Sequence, residues 1–282
     1  METEKLEMLR KQWYMDKNVI HNIIDALKFR EGAFLQLREE GRDFMMRYLK
    51  INHSDYFYKN AQRYRFFECR MNLYNTLAKL PNMPMFSFSK VQKDKDTKEY
   101  GEGQYHKDIT SFDFMIDIDS SFGKENTDLE PLQFAHHETM EIKKIFDDYD
   151  IPYWLKFSGQ KGFHVMVDST DYPEEFKKMS IPDLAELFKK VVHNFKMVND
   201  FRFIDEGVFD TKRLSKTAYS VTYPFYFVAY PLTDEELKTF SLKMVSLPYL
   251  ITKTKDLFQR RTCKRKGNPD GFLKFIKDYE NL

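Results

Sequence analysis

At 282 residues the chain has room for one large domain or two small ones, since domains usually run to roughly 100–200 residues. A hydrophobic content of 42%, with 16% aromatic residues, suits a packed core and argues against a disordered chain despite the 32% charged content. Forty-five basic against forty-four acidic residues leave a formal charge of +1, which excludes a uniformly basic nucleic-acid binder and leaves only local cationic patches.

In chain order, residues 1–80 read as mainly helical. Ile20, Ile23, Ile24 and Leu27 fall on one helix face, and Leu73, Leu77 and Leu80 repeat that spacing before Pro81. Residues 85–88 suggest a short strand and 90–108 a polar loop with Gly101 and Gly103. Residues 112–119 alternate, with Phe114, Ile116 and Ile118 facing one way and Asp113, Asp117 and Asp119 the other. A helix carrying Ile142, Ile145, Phe146 and Tyr149 follows. Then come two apolar runs, 153–157 and 163–167, joined by a glycine-bearing loop as in a hairpin. Ser180 with Pro182 predicts a helix start, followed by an apolar stripe from Leu184 to Phe195. Residues 203–209 and 219–230 read as strands, Thr233 opens a short helix, and 267–271 reads as a turn. Strand–helix–strand–strand–helix–strand is the order of an α+β sheet of the RNA-recognition-motif type.

Two cysteines, Cys69 and Cys263, are too few for a disulfide framework or a four-thiolate zinc site. The N-terminal residues lack a signal-peptide pattern, and the most apolar stretch, 219–232, is short and interrupted by Pro224 and Pro231. The expectation is an intracellular protein, cytoplasmic or nucleoid-associated, with no membrane span and no structural zinc.

Three constellations carry chemistry. Asp117 and Asp119, at i and i+2 on a strand, project from one face and suit divalent ions in a phosphoryl-transfer site; the plainer reading is the wet side of a half-exposed strand. Ser158-Gly159-Gln160-Lys161-Gly162-Phe163-His164 combines glycines that admit a phosphate, a cation, and a histidine on the strand leaving the loop; the alternative is an ordinary hairpin. Asp205, followed by Arg213 and Lys216, offers a third acid and a basic run, with Asp210 as a competing ligand.

Together these motifs resemble the archaeo-eukaryotic primase superfamily, in particular the small catalytic subunit of DNA primase. Its pattern is an apolar strand ending in DxD, then SGxxGxH, then an Asp before a basic stretch. The likeness spans about residues 56–232, with departures at Gln160 and Thr222. It implies a primase-type catalytic unit, placed over 1–252 with the motifs in 106–232; beyond the likeness, the residues themselves read as a basic C-terminal extension over 253–282. It also implies that Asp117, Asp119 and Asp205 hold two Mg²⁺ or Mn²⁺ ions. Ser158, Gly159, Lys161, Gly162, His164, Arg213 and Lys216 would contact the nucleotide. Implied partners are a single-stranded DNA template, NTP or dNTP, and a primase large subunit.

The implied activity is template-dependent primer synthesis or extension. Rivals are a repair-, plasmid- or defence-associated primase-polymerase using deoxynucleotides, a metal-dependent nuclease, and a catalytically idle nucleic-acid-binding module. The densest cationic stretch, 253–266, makes Arg260, Arg261, Lys264 and Arg265 candidate phosphate contacts. Residues 63–70, where aromatics alternate with arginines, are a second candidate. The adjacent His136 and His137 point in different directions on a helix and make a poor metal site.

Overall fold

The computed structural model describes residues 2–27, 30, 32–36, 44–48, 71–79, 109–121, 128–209, 213–257 and 263–282. In chain order it contains α1 (Glu2–Met15), α2 (Lys17–Leu27), β1 (Gly32–Gln36), β2 (Phe44–Tyr48), β3 (Met71–Thr76), β4 (Ala78–Lys79), β5 (Ser111–Phe112), β6 (Phe114–Asp119), α3 (Glu130–Asp148), β7 (Trp154–Phe157) and β8 (Gly162–Val167). Then come α4 (Glu174–Lys177), α5 (Ile181–Val198), β9 (Ile204–Asp205), β10 (Leu214–Lys216), β11 (Val221–Thr222), β12 (Phe227–Val228), β13 (Pro231–Leu232), α6 (Asp234–Lys238), α7 (Leu247–Leu250), α8 (Thr254–Leu257) and α9 (Pro269–Glu280). No helix among the described residues is long and apolar enough to cross a membrane.

The chain divides into two units. The first comprises Met1–Thr110, Leu214–Tyr230 and Ser241–Arg261; the second comprises Ser111–Arg213, Pro231–Phe240 and Thr262–Leu282.

In the first unit α2 buries Val19, Ile20, Ile23, Ile24 and Leu27, the stripe its spacing predicts. Trp13 donates its indole N–H to the Tyr219 carbonyl at 2.8 Å, and the Tyr14 hydroxyl accepts the Val221 N–H at 2.8 Å. Beyond α2 the described elements up to residue 79 are strands where helix is expected, and residues 49–70 lie outside the described residues. An antiparallel sheet runs in the order β10-β3-β1-β2, with Phe34 opposite Leu73 and Ser215 opposite Asn75. Leu73 lies in β3 and Leu77 in the bend between β3 and β4, so their helical spacing is coincidental. Asn72, just before Leu73, and Asn75 and Thr76, between the two leucines, are weak helix formers. Residues 219–230 are also more broken than expected. β11 and β12 pair as Val221 with Val228 and Thr222 with Phe227, around a turn containing Pro224. The candidate strand 85–88, the loop 90–108 and the segment 63–70 lie outside the described residues.

The second unit is built on an antiparallel sheet ordered β13-β7-β8-β6-β9. Its elements run β6–α3–β7–β8–α5–β9, the order expected from the sequence, with β8 lying between β6 and β7. Phe114, Ile116 and Ile118 on β6 are fully buried. Phe114 meets Phe188 of α5 at 5.0 Å and Phe272 of α9 at 5.3 Å between ring centroids. Ser180 caps α5 by accepting the Asp183 N–H, and Thr233 caps α6 in a reciprocal capping box with Glu236. Asp113, expected on the wet side, is instead buried and accepts the Ser169 N–H at 2.9 Å.

Two further expectations change. The strand over 203–209 is confined to β9, after which the chain turns into a 3-10 segment, Glu206–Val208. The turn over 267–271 is the start of α9, capped by Asn268, whose side chain accepts the Asp270 N–H. Gly271 marks a close approach rather than a turn, because a Cβ there would fall 2.0 Å from the Tyr149 carbonyl oxygen at the end of α3. α9 buries Phe272, Phe275 and Ile276 in this unit.

Candidate active site

Sheet register assembles the site. Asp117 on β6 stands opposite Asp205 on β9 on one side and His164 on β8 on the other, and His164 stands opposite Lys156 on β7. Cross-strand partners share a face, so Asp205, Asp117, His164 and Lys156 form one row across four strands. Asp119, two residues on from Asp117, joins them. Asp117, Asp119 and Asp205 can each offer a carboxylate oxygen, all within 4.8 Å of one another. They are the one such group of metal-ligating side chains among the described residues.

The electrostatics follow from burial and like charge. Asp117 is 7% exposed, whereas Asp119 and Asp205 are half-buried. Burial first, then the charges of Asp119 and Asp205, push the Asp117 carboxyl up to about 7, against the pull of Arg213 and Lys161. Lys161 Nζ lies 2.6 Å from Asp119 Oδ2, and Arg213 Nη2 donates to Asp205 Oδ2 at 2.9 Å. His164 Nε2 is 3.4 Å from Asp117 Oδ1, yet that buried oxygen has no hydrogen-bond donor. The two groups are thus neighbours without a hydrogen bond to that oxygen. A buried carboxylate oxygen without a donor is unusual, and with the carboxylates of Asp119 and Asp205 beside it the cluster offers an all-oxygen set that suits a hard divalent cation such as Mg²⁺ or Mn²⁺.

The SGxxGxH loop folds upon itself. The Ser158 N–H donates to the Gly162 carbonyl at 2.8 Å, while Ser158 Oγ accepts the N–H groups of Gly162 at 3.1 Å and Gln160 at 3.4 Å. Gly159 has φ of 91°, which favours glycine. Gly162 is required for sheet closure: it pairs with Asp119, and a Cβ there would fall 1.8 Å from the Ile118 carbonyl oxygen. Ser158 and Gly162 thus shape the loop that holds Lys161 against Asp119.

Other expected residues lie elsewhere. Lys216 is on β10 in the first unit, opposite Tyr74. Lys264 pairs with Asp171, and Arg265 with Asp234, while the Arg265 N–H donates to the Tyr153 carbonyl at 2.7 Å. Asp210, Arg260 and Arg261 lie outside the described residues. His136 contacts the Leu237 carbonyl at 2.6 Å and stacks on Phe240, whereas His137 turns to Glu141, so the two histidines do diverge. Lys156 is the member of the row that sequence reading missed. It is 1% exposed, and full burial is rare for lysine. Its signal in the sequence was a lone cation between Leu155 and Phe157 in an apolar run; only the sheet register sets it opposite His164.

No family model matches the chain. Over 182 residues it is 26% identical to a curated protein of Methanocaldococcus jannaschii described as uncharacterized protein MJECS07; the match takes in 62% of this chain and 36% of that protein's length. Among solved structures, it superposes on the polymerase domain of Mycobacterium tuberculosis Ligase D in complex with DNA with a TM-score of 0.58 at 13% identity, covering 90% of this chain and 88% of the other. The chain thus shares its fold with the Ligase D polymerase domain.

Proposed function

We propose that this chain is a template-dependent nucleotidyltransferase of the primase-polymerase type, which synthesises or extends primers on single-stranded DNA. The observation that carries the reading is the in-register cluster of Asp117, Asp119 and Asp205, with Lys161 and Arg213 ion-paired at its rim. The β–α–β–β–α–β order of the second unit supports an RNA-recognition-motif-like catalytic sheet, as primases use. Likeness of fold to a polymerase domain bound to DNA favours polymerisation over nuclease chemistry.

Asp117, Asp119 and Asp205 would hold Mg²⁺ or Mn²⁺, which when bound would neutralise phosphate charge and activate the attacking hydroxyl. Lys161 and Arg213 would exchange Asp119 and Asp205 for the triphosphate of an NTP or dNTP, joined by His164; a nucleotide contact from Lys216, on the other unit, stays an expectation of the resemblance. Their positive charge would stabilise the pyrophosphate that departs as the primer oxygen bonds to the α-phosphorus. Ser158, Gly159 and Gly162 would serve by holding the loop in shape. For the template, residues 253–266 remain the densest cationic stretch; Lys264 and Arg265 would have to leave Asp171 and Asp234 to reach phosphate. A primase large subunit is the proposed protein partner.

The test is direct. The protein is incubated with single-stranded DNA, with and without an annealed primer, Mg²⁺ or Mn²⁺, and labelled ribo- or deoxynucleotides. Template-dependent products that vanish in Asp117→Ala or Asp119→Ala are expected. Absence of products with every nucleotide and metal would leave the idle binding module as the better reading. Products only from deoxynucleotides would favour the repair-type primase-polymerase.

A further inference from the structure

The strand that carries Asp205 is two residues long, pairing Asp205 with Asp117 and Ile204 with Ile118. So short a ladder is a weak restraint, and Asp205 must be held beside two carboxylates of its own charge. The restraint comes from outside the strand. On α3, Glu138 is 8% exposed and uses both carboxylate oxygens on the backbone that enters β9. Oε1 accepts the Arg202 N–H at 2.6 Å and Oε2 accepts the Phe203 N–H at 3.0 Å. The Phe203 carbonyl in turn accepts the Asp119 N–H at 2.8 Å. One buried carboxylate is thereby connected to the backbone of two of the three acids in the cluster. Hydrogen bonds to an ionised acceptor are stronger than neutral ones. Lys196 steadies the same segment from α5, donating to the Ile204 carbonyl at 2.9 Å and pairing with Glu206 at 3.1 Å.

We propose that Glu138 is a positioning residue of the carboxylate cluster, setting where Asp205 and Asp119 stand and hence how tightly the cluster holds a divalent ion. The proposal rests on reading the cluster as a metal site. Its chemistry requires a carboxylate: glutamine has one acceptor oxygen, and its amide N–H₂ would face one of the two backbone donors.

The experiment measures Mn²⁺ binding by the full chain, through loss of the free-ion electron paramagnetic resonance signal, alongside thermal unfolding. The proteins are the unaltered chain, Glu138→Gln, Glu138→Ala, Asp117→Asn and the control Glu141→Gln. Glu141 is half-exposed on the same helix and pairs with His137. Removing outer partners of a metal site typically weakens binding about 10- to 100-fold. Glu138→Gln should therefore lose about 10-fold in Mn²⁺ affinity and Glu138→Ala more, while Glu141→Gln is unchanged. A purely structural Glu138 would lower the unfolding temperature and leave Mn²⁺ affinity within twofold in the folded variants; that result overturns the proposal and spares the metal site. If Glu138→Ala does not fold, the isosteric Glu138→Gln decides. Absence of Mn²⁺ binding by the unaltered chain, or equal binding by Asp117→Asn, would overturn the metal reading and this proposal with it.

Discussion

Asp117→Asn separates stability from function at one atom. The folded state holds the Asp117 carboxyl at about 7 against an ordinary 3.8. In metal-free buffer the folded protein therefore binds more protons than the unfolded chain between those values. The contribution of Asp117 to stability falls as pH rises through that window and stays low above it. A shift of about three units corresponds to roughly 4 kcal/mol at pH 8, an upper bound because the three acids titrate together. Asparagine has the same shape and no charge. The variant should gain up to about 4 kcal/mol at pH 8, gain little near pH 4, and show a flatter stability–pH profile. It should also lose Mn²⁺ binding and nucleotide incorporation, since it removes a ligand from the middle of the row. Urea unfolding at several pH values without metal, paired with Mn²⁺ titration at pH 8, measures both effects. An Asn variant that is no more stable than the unaltered chain at pH 8, or whose advantage over it does not grow between pH 4 and 7, would refute the electrostatic account of the cluster.

Three other outcomes are expected. Metal binding must deprotonate Asp117, so Mn²⁺ affinity should climb up to about pH 7 with proton release, then level off; potentiometric titration checks it. Lys161→Ala should weaken nucleotide binding by roughly 1.5–3 kcal/mol, the contribution of a charge-assisted contact, read as a raised nucleotide KM. Gly162→Ala should lose about 3 kcal/mol or fail to fold, because its Cβ would collide with the Ile118 carbonyl where β6 and β8 pair; solubility and unfolding temperature report it.

The amino-acid sequence by itself determined the strands and loop of the site. Alternation on β6 separates Phe114, Ile116 and Ile118 from Asp117 and Asp119, and the glycines of 158–164 demand a turn between two apolar runs. These are local signals with a period of two or a fixed turn chemistry. Only the tertiary structure decided which strands lie side by side. That adjacency sets Asp205 and His164 opposite Asp117, brings the buried Lys156 into the row, and sends Glu138 to the backbone before β9. Register between strands far apart in sequence is fixed by the packing of both sheet faces, and no single segment carries that information. The same physics overturned the helix expected around Leu73 and Leu77: Leu73 pairs with Phe34 of β1, and Leu77 falls in the bend after β3. It also made Gly271 a contact point for Tyr149 in place of a turn, a distinction that depends on which helix end comes to rest there.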